Sequence, residues 1–96
     1  MSNLHTGAAH VQEAMDLLQE ECAEVIEIVS KIRRFGMHEM HCKEHRPNVE
    51  CLVQELGDVL CLIDILKQQG VVTQGQLDDA AANKSHKLKK WSNLYE

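Results

Sequence analysis

The sequence predicts an all-α protein, a four-helix-type bundle formed by an oligomer, with long helices over about 8–35 and 48–69 and a shorter one over about 74–91. Three observations predict it. Apolar residues recur in steps of three and four along both long segments, and no stretch of useful length alternates as a strand would. With only 3% aromatic residues, any core must be aliphatic. The first segment, as a helix, would be about 40 Å long, more than a monomer of 96 residues can cover. A homodimer or homotetramer that packs helices across its interface is the remedy.

The first helix carries Val11, Met15, Leu18, Cys22, Val25, Val29, Ile32 and Phe35 as its main stripe, with Leu17, Ile26 and Ile28 off it, so more than one face is apolar. Gly36 ends it, with Arg33 and Arg34 in the last turn, where cations suit the helix dipole. Residues 37–47 read as a polar, irregular connection. Asn48 is a candidate N-cap for the second helix, whose buried side is expected to hold Val49, Leu52, Val53, Leu56, Val59, Leu60, Ile63 and Leu66. Gly70 closes that helix. Thr73 with Gln76 forms a capping-box pattern that opens the third, carrying Leu77, Ala81, Leu88 and Trp91.

Residues 1–96 are read as one domain of ordinary soluble composition, 44% hydrophobic and 26% charged. A net charge of −5 leaves no broad basic surface to collect phosphates, which argues against general nucleic-acid binding. No apolar run is long enough to span a bilayer, and no basic segment precedes an apolar one near residue 1, so no membrane partner and a cytoplasmic location are expected. Cys22, Cys42, Cys51 and Cys61 show no paired short spacing. Free thiols are expected, with Cys22, Cys51 and Cys61 serving as small core residues.

The chemistry is concentrated in Glu20-Glu21-Cys22-Ala23-Glu24 and Glu55-Leu56-Gly57-Asp58. Glu21 and Glu24 lie one turn apart on one helix face, as do Glu55 and Asp58 on the next helix. A single cluster of this kind is usually a solvated face. The second lies in an apolar run, and if the two faces oppose one another their charges demand cations. Oxygen ligands of this hardness favour Mg²⁺ or Mn²⁺ over zinc. Gly57, which costs about 1 kcal/mol relative to alanine inside a helix, suggests close approach to the backbone between the two acids.

These two motifs, in this order on successive helices, resemble the MazG-like all-α nucleoside triphosphate pyrophosphohydrolases, whose signature is E-E-x-x-E followed by E-x-x-D. The strings LLQEECAEVIEIVSKI and VQELGDVLCLIDIL extend the similarity, which runs roughly from Leu17 to Trp91. The resemblance implies water attack at the α-phosphorus of a (deoxy)nucleoside triphosphate, releasing a monophosphate and pyrophosphate. It implies Mg²⁺ ligation by Glu21, Glu24, Glu55 and Asp58, with Glu21 part of the catalytic group. Glu20 either orients or deprotonates the attacking water, or simply faces solvent. Gln54 stands where the family often has another acid. An Asn and a Lys of the third helix meet the triphosphate in the family; one register selects Asn83 and Lys84, the other Lys87.

Lys84 falls on the inward stripe of the third helix. Lys31, two turns beyond Glu24, meets either a phosphate or an acid, Glu27 or Asp64. His38, His41, Cys42 and His45 give the connection the ligand types of a zinc site, but no standard spacing, so a loop bordering the nucleotide site is the expectation. Two other functions fit the same residues: a phosphoribosyl-ATP pyrophosphohydrolase-like enzyme, and a non-catalytic helical oligomer or adaptor. The Glu-Leu-Gly-Asp string favours the MazG-like group over the first. Loss of metal-dependent turnover on Glu55→Gln separates an enzyme from the second.

Overall fold

The computed structural model describes residues 3–96, as three α-helices: α1 (Ala8–Phe35), α2 (Asn48–Gln68) and α3 (Gln74–Trp91). α1 and α2 form an antiparallel hairpin, and Gln69, at the end of α2, donates from Nε2 to the carbonyls of His5 and His10 at the start of α1. Gly36 leaves α1 at φ 101°, a left-handed conformation glycine adopts without steric penalty, and its N–H bonds to the Ile32 carbonyl. Thr73 and Gln76 complete the capping box at the start of α3.

Asn48 does not cap α2. Pro47 holds the N-cap position, and its carbonyl accepts from Glu50 and Cys51. Asn48 is instead fully buried, donating from Nδ2 to the Gly36 carbonyl at 2.9 Å and accepting at Oδ1 from the His41 N–H at 3.0 Å. Its side chain, with the backbone bonds Asn48 N–H to Glu39 O and Val49 N–H to Met37 O, folds the connection back onto the head of α2. That path brings Cys42 to Cys51. The two form a disulfide, and only Cys22 and Cys61 are free, both of them exposed. The expectation of four free thiols, with Cys22 and Cys61 in the core, is corrected on both points.

The seam between α1 and α2 runs Ala14, Leu18, Glu21, Val25, Ile28 and Ile32 on one side, in alternating steps of four and three. Cys51, Glu55, Asp58, Leu62 and Leu66 face it from α2. Ile28, expected off the stripe, is among the most buried residues, whereas Met15, Cys22, Ile26 and Val29 are exposed. On α2, Val53, Leu56 and Leu60 are exposed rather than buried. Each long helix has two apolar faces, and the hairpin satisfies one.

α3 stands largely apart. None of its residues is buried, Trp91 is 80% exposed, and Lys84 faces solvent instead of an interior. The radius of gyration, 16.2 Å, exceeds the roughly 12.5 Å of a compact chain of this length. The accessible surface of 7444 Å² likewise exceeds the roughly 5,600 Å² expected for a monomer of this mass. No helix among the described residues is long and apolar enough to cross a membrane.

Candidate metal centre

Glu21, Glu55 and Asp58 occupy consecutive seam positions where the heptad pattern calls for apolar side chains. All three are half-buried, and one carboxylate oxygen from each lies within 4.8 Å of the others. Among the described residues none of them forms an ion pair; the two salt bridges present, Lys31–Glu27 and Lys67–Asp64, involve other acids.

The electrostatic cost shows in proton affinity. Desolvation, with the charge of Asp58 next, raises the Glu21 pKa above the ordinary carboxylate value, and Glu24 adds to the shift. Glu55 is raised by the same causes in the same order, with Glu21 and Glu24 contributing further repulsion. Carboxylates that repel one another and form no ion pair suit a cation from solution. Three converging oxygens on two helices form a hard donor set suited to a divalent cation.

Glu24, the fourth acid expected here, lies outside the tight trio but is half-buried. It shares a cleft of about 30 Å³ with Glu55, and Lys31 lines the same cleft while paired to Glu27 at 3.4 Å. Glu20 is exposed. Asn83, Lys84 and Lys87 are exposed on α3 and are not among the residues gathered at the carboxylates. The residue spacing alone does not bring Lys43, Glu44 and the Cys42–Cys51 disulfide to this cleft, yet all of them line it. The one available signal was Cys51 itself, four residues before Glu55 and therefore on the same helix face. Gly57 meets nothing: a Cβ there would have open space for 4 Å, so no neighbouring protein group accounts for the glycine.

Of the zinc-type residues in the connection, His41 stacks on Phe35 with ring centres 3.7 Å apart, and the imidazoles do not join a cluster of ligands. A family model described as the MazG nucleotide pyrophosphohydrolase domain matches residues 10–93. No curated protein and no solved structure matches the chain.

Proposed function

This chain belongs to the MazG nucleotide pyrophosphohydrolase family, and we propose that it hydrolyses (deoxy)nucleoside triphosphates to the monophosphate and pyrophosphate. The observation that carries the reading is the meeting of Glu21, Glu55 and Asp58 on the seam, none of them in an ion pair among the described residues. Glu21, Glu24, Glu55 and Asp58 would hold Mg²⁺, or Mn²⁺ in its place. The metal supplies a lowered pKa for bound water and neutralisation of charge on the phosphoryl oxygens.

The residues themselves do three things in this scheme. Glu21 and Glu55, whose proton affinity is raised by desolvation and by the neighbouring acids, would hold the cation as ionised carboxylates, so binding would be favoured as pH rises. Glu20, exposed one position before Glu21, has access to water for orienting or deprotonating the nucleophile. Lys31, beside Glu55 in the cleft, and the exposed Asn83, Lys84 and Lys87 are the phosphate-binding candidates.

The functional unit in this proposal is a cytoplasmic homodimer or homotetramer. Each protomer exposes roughly 1,900 Å² beyond a monomer of its mass, the scale an obligate homodimer buries per subunit. Ile26 and Leu60, 71% and 67% exposed, belong to that unused apolar surface.

The test is to incubate the protein with a panel of ribo- and deoxyribonucleoside triphosphates, with Mg²⁺ or with EDTA, and to resolve the products by ion-exchange chromatography. Metal-dependent monophosphate and pyrophosphate are expected. Release of orthophosphate would overturn attack at the α-phosphorus, and a folded protein that turns over none of the panel would overturn the enzymatic reading.

A further inference from the structure

A second set of donor atoms converges next to the carboxylates and is chemically unlike them. The sulfurs of Cys42 and Cys51 and a carboxylate oxygen of Glu44 lie within 4.8 Å of one another, with both cysteines buried and Glu44 at the surface. Glu44 Oε2 is 3.5 Å from Cys51 Sγ, and the Arg46 carbonyl oxygen is 3.2 Å from Cys42 Sγ. We propose that, once the disulfide is reduced, Cys42, Cys51 and Glu44 bind one thiophilic divalent cation of the zinc class, with water as the fourth ligand.

The donor set discriminates between metals. Two thiolates select zinc-like ions over Mg²⁺, whereas the Glu21–Glu55–Asp58 trio has the opposite preference. The backbone also suits both states. The Cα atoms are 6.6 Å apart, near the wide end of what a disulfide spans. Sulfurs bound at about 2.3 Å around a tetrahedral ion sit about 3.8 Å from each other, a separation that rotation of the Cys42 and Cys51 side chains can supply. Three ligands and one exposed side make an open site rather than a closed structural one.

Two equivalents of a monothiol reductant cleave the S–S bond, giving two cysteine thiols and one disulfide of the reductant. The cation then displaces two protons, which pass to solvent. In the oxidised protein the sulfurs have no thiolate to offer, so the redox state decides occupancy.

The experiment is titration with Co²⁺ alone. Wild-type protein is reduced, freed of reductant under anaerobic conditions and followed by sulfur-to-cobalt charge-transfer absorption. The expected result is saturation at one equivalent, bleaching by Zn²⁺, and no band in the oxidised protein. Cys42→Ser is expected to abolish the band, Glu44→Gln to weaken binding at least tenfold, and Glu21→Gln with Glu55→Gln to leave it in place. No band in the reduced protein, or one that survives Cys42→Ser, overturns the proposal.

Alkylation provides a readout that needs no variant. Zn²⁺ is expected to slow modification of Cys42 and Cys51 selectively, with the exposed Cys22 and Cys61 as internal controls. Equal rates with and without Zn²⁺ at all four cysteines would overturn the site.

Discussion

Glu55→Gln is expected to make the metal-free protein more stable while destroying its response to Mg²⁺. The substitution is nearly isosteric and removes one of three charges whose oxygens lie within 4.8 Å of each other. At that separation, with water-like screening suited to half-buried groups, each like-charge pair costs about 0.9 kcal/mol. Glu55 takes part in two such pairs, with Glu21 and Asp58, so the gain at neutral pH and low salt is about 2 kcal/mol. For a domain of this size each kcal/mol moves the melting temperature by roughly 4–8 °C. Free Mg²⁺ at a hundred times its dissociation constant stabilises the wild type by about 2.7 kcal/mol, so adding metal inverts the order of the two proteins. The assay is thermal melting by circular dichroism at fixed protein concentration, in EDTA and in Mg²⁺, alongside triphosphate hydrolysis, which is expected to fall at least a hundredfold in the variant. A variant that melts below wild type in EDTA, or that gains as much from Mg²⁺, would refute the reading of the seam carboxylates as a ligand set.

The same repulsion fixes a pH dependence. Glu21 and Glu55 have pKa values raised in the folded state, so above about pH 4.5 the native protein binds more protons than the unfolded chain and its stability falls as pH rises through the raised values. In EDTA, the melting-temperature gap between wild type and Glu21→Gln/Glu55→Gln is therefore expected to widen from pH 4.5 upward; a constant gap would contradict it. Asn48→Ala removes a fully buried amide and strips partners from the Gly36 carbonyl and the His41 N–H, and is expected to cost about 1–3 kcal/mol in denaturant unfolding. A loss below about 0.5 kcal/mol would show that water replaces the side chain. Leu60→Asp, at a position already 67% exposed, is expected to leave the helicity of the protomer intact and to lower its mass in solution to that of a monomer. Light scattering of wild type and variant at matched concentration decides this, and an unchanged oligomer would remove the exposed α2 stripe from the interface.

Much of this was legible in the sequence, for identifiable physical reasons. A carboxylate pair one turn apart keeps that geometry in any α-helix, so the placement of Glu21 with Glu24 and of Glu55 with Asp58 follows from spacing. Thr73 and Gln76 are legible in the same way, because a capping box closes within four residues. Choosing which apolar face meets α2 is a different problem. Met15, Cys22 and Val29 form as regular a stripe as Ala14, Val25 and Ile28, and only the partner helix distinguishes them. The disulfide is further out of reach, since it depends on the loop path set by two bonds from Asn48, a residue whose type equally suits an N-cap. For α3, the inward position assigned to Lys84 assumed an interior that the protomer does not provide.

The carboxylates divide the hairpin core into two small apolar layers, Ala14, Leu62 and Leu66 toward the open end and Ile28, Cys42 and Cys51 toward the connection. Neither layer is large, and the charged layer between them opposes closure of the seam when metal is absent. Glu21 comes from α1, and Glu55 and Asp58 from α2, so any ion they share bridges the two helices. Such an ion would turn the charged layer of the hairpin into a cross-link and couple ligand binding to closure. The apolar layers on either side restrict how the helices move against each other, which keeps the carboxylate oxygens in register. An all-leucine seam at the same positions would gain stability and lose that coupling, the exchange expected where a core position has been given over to function.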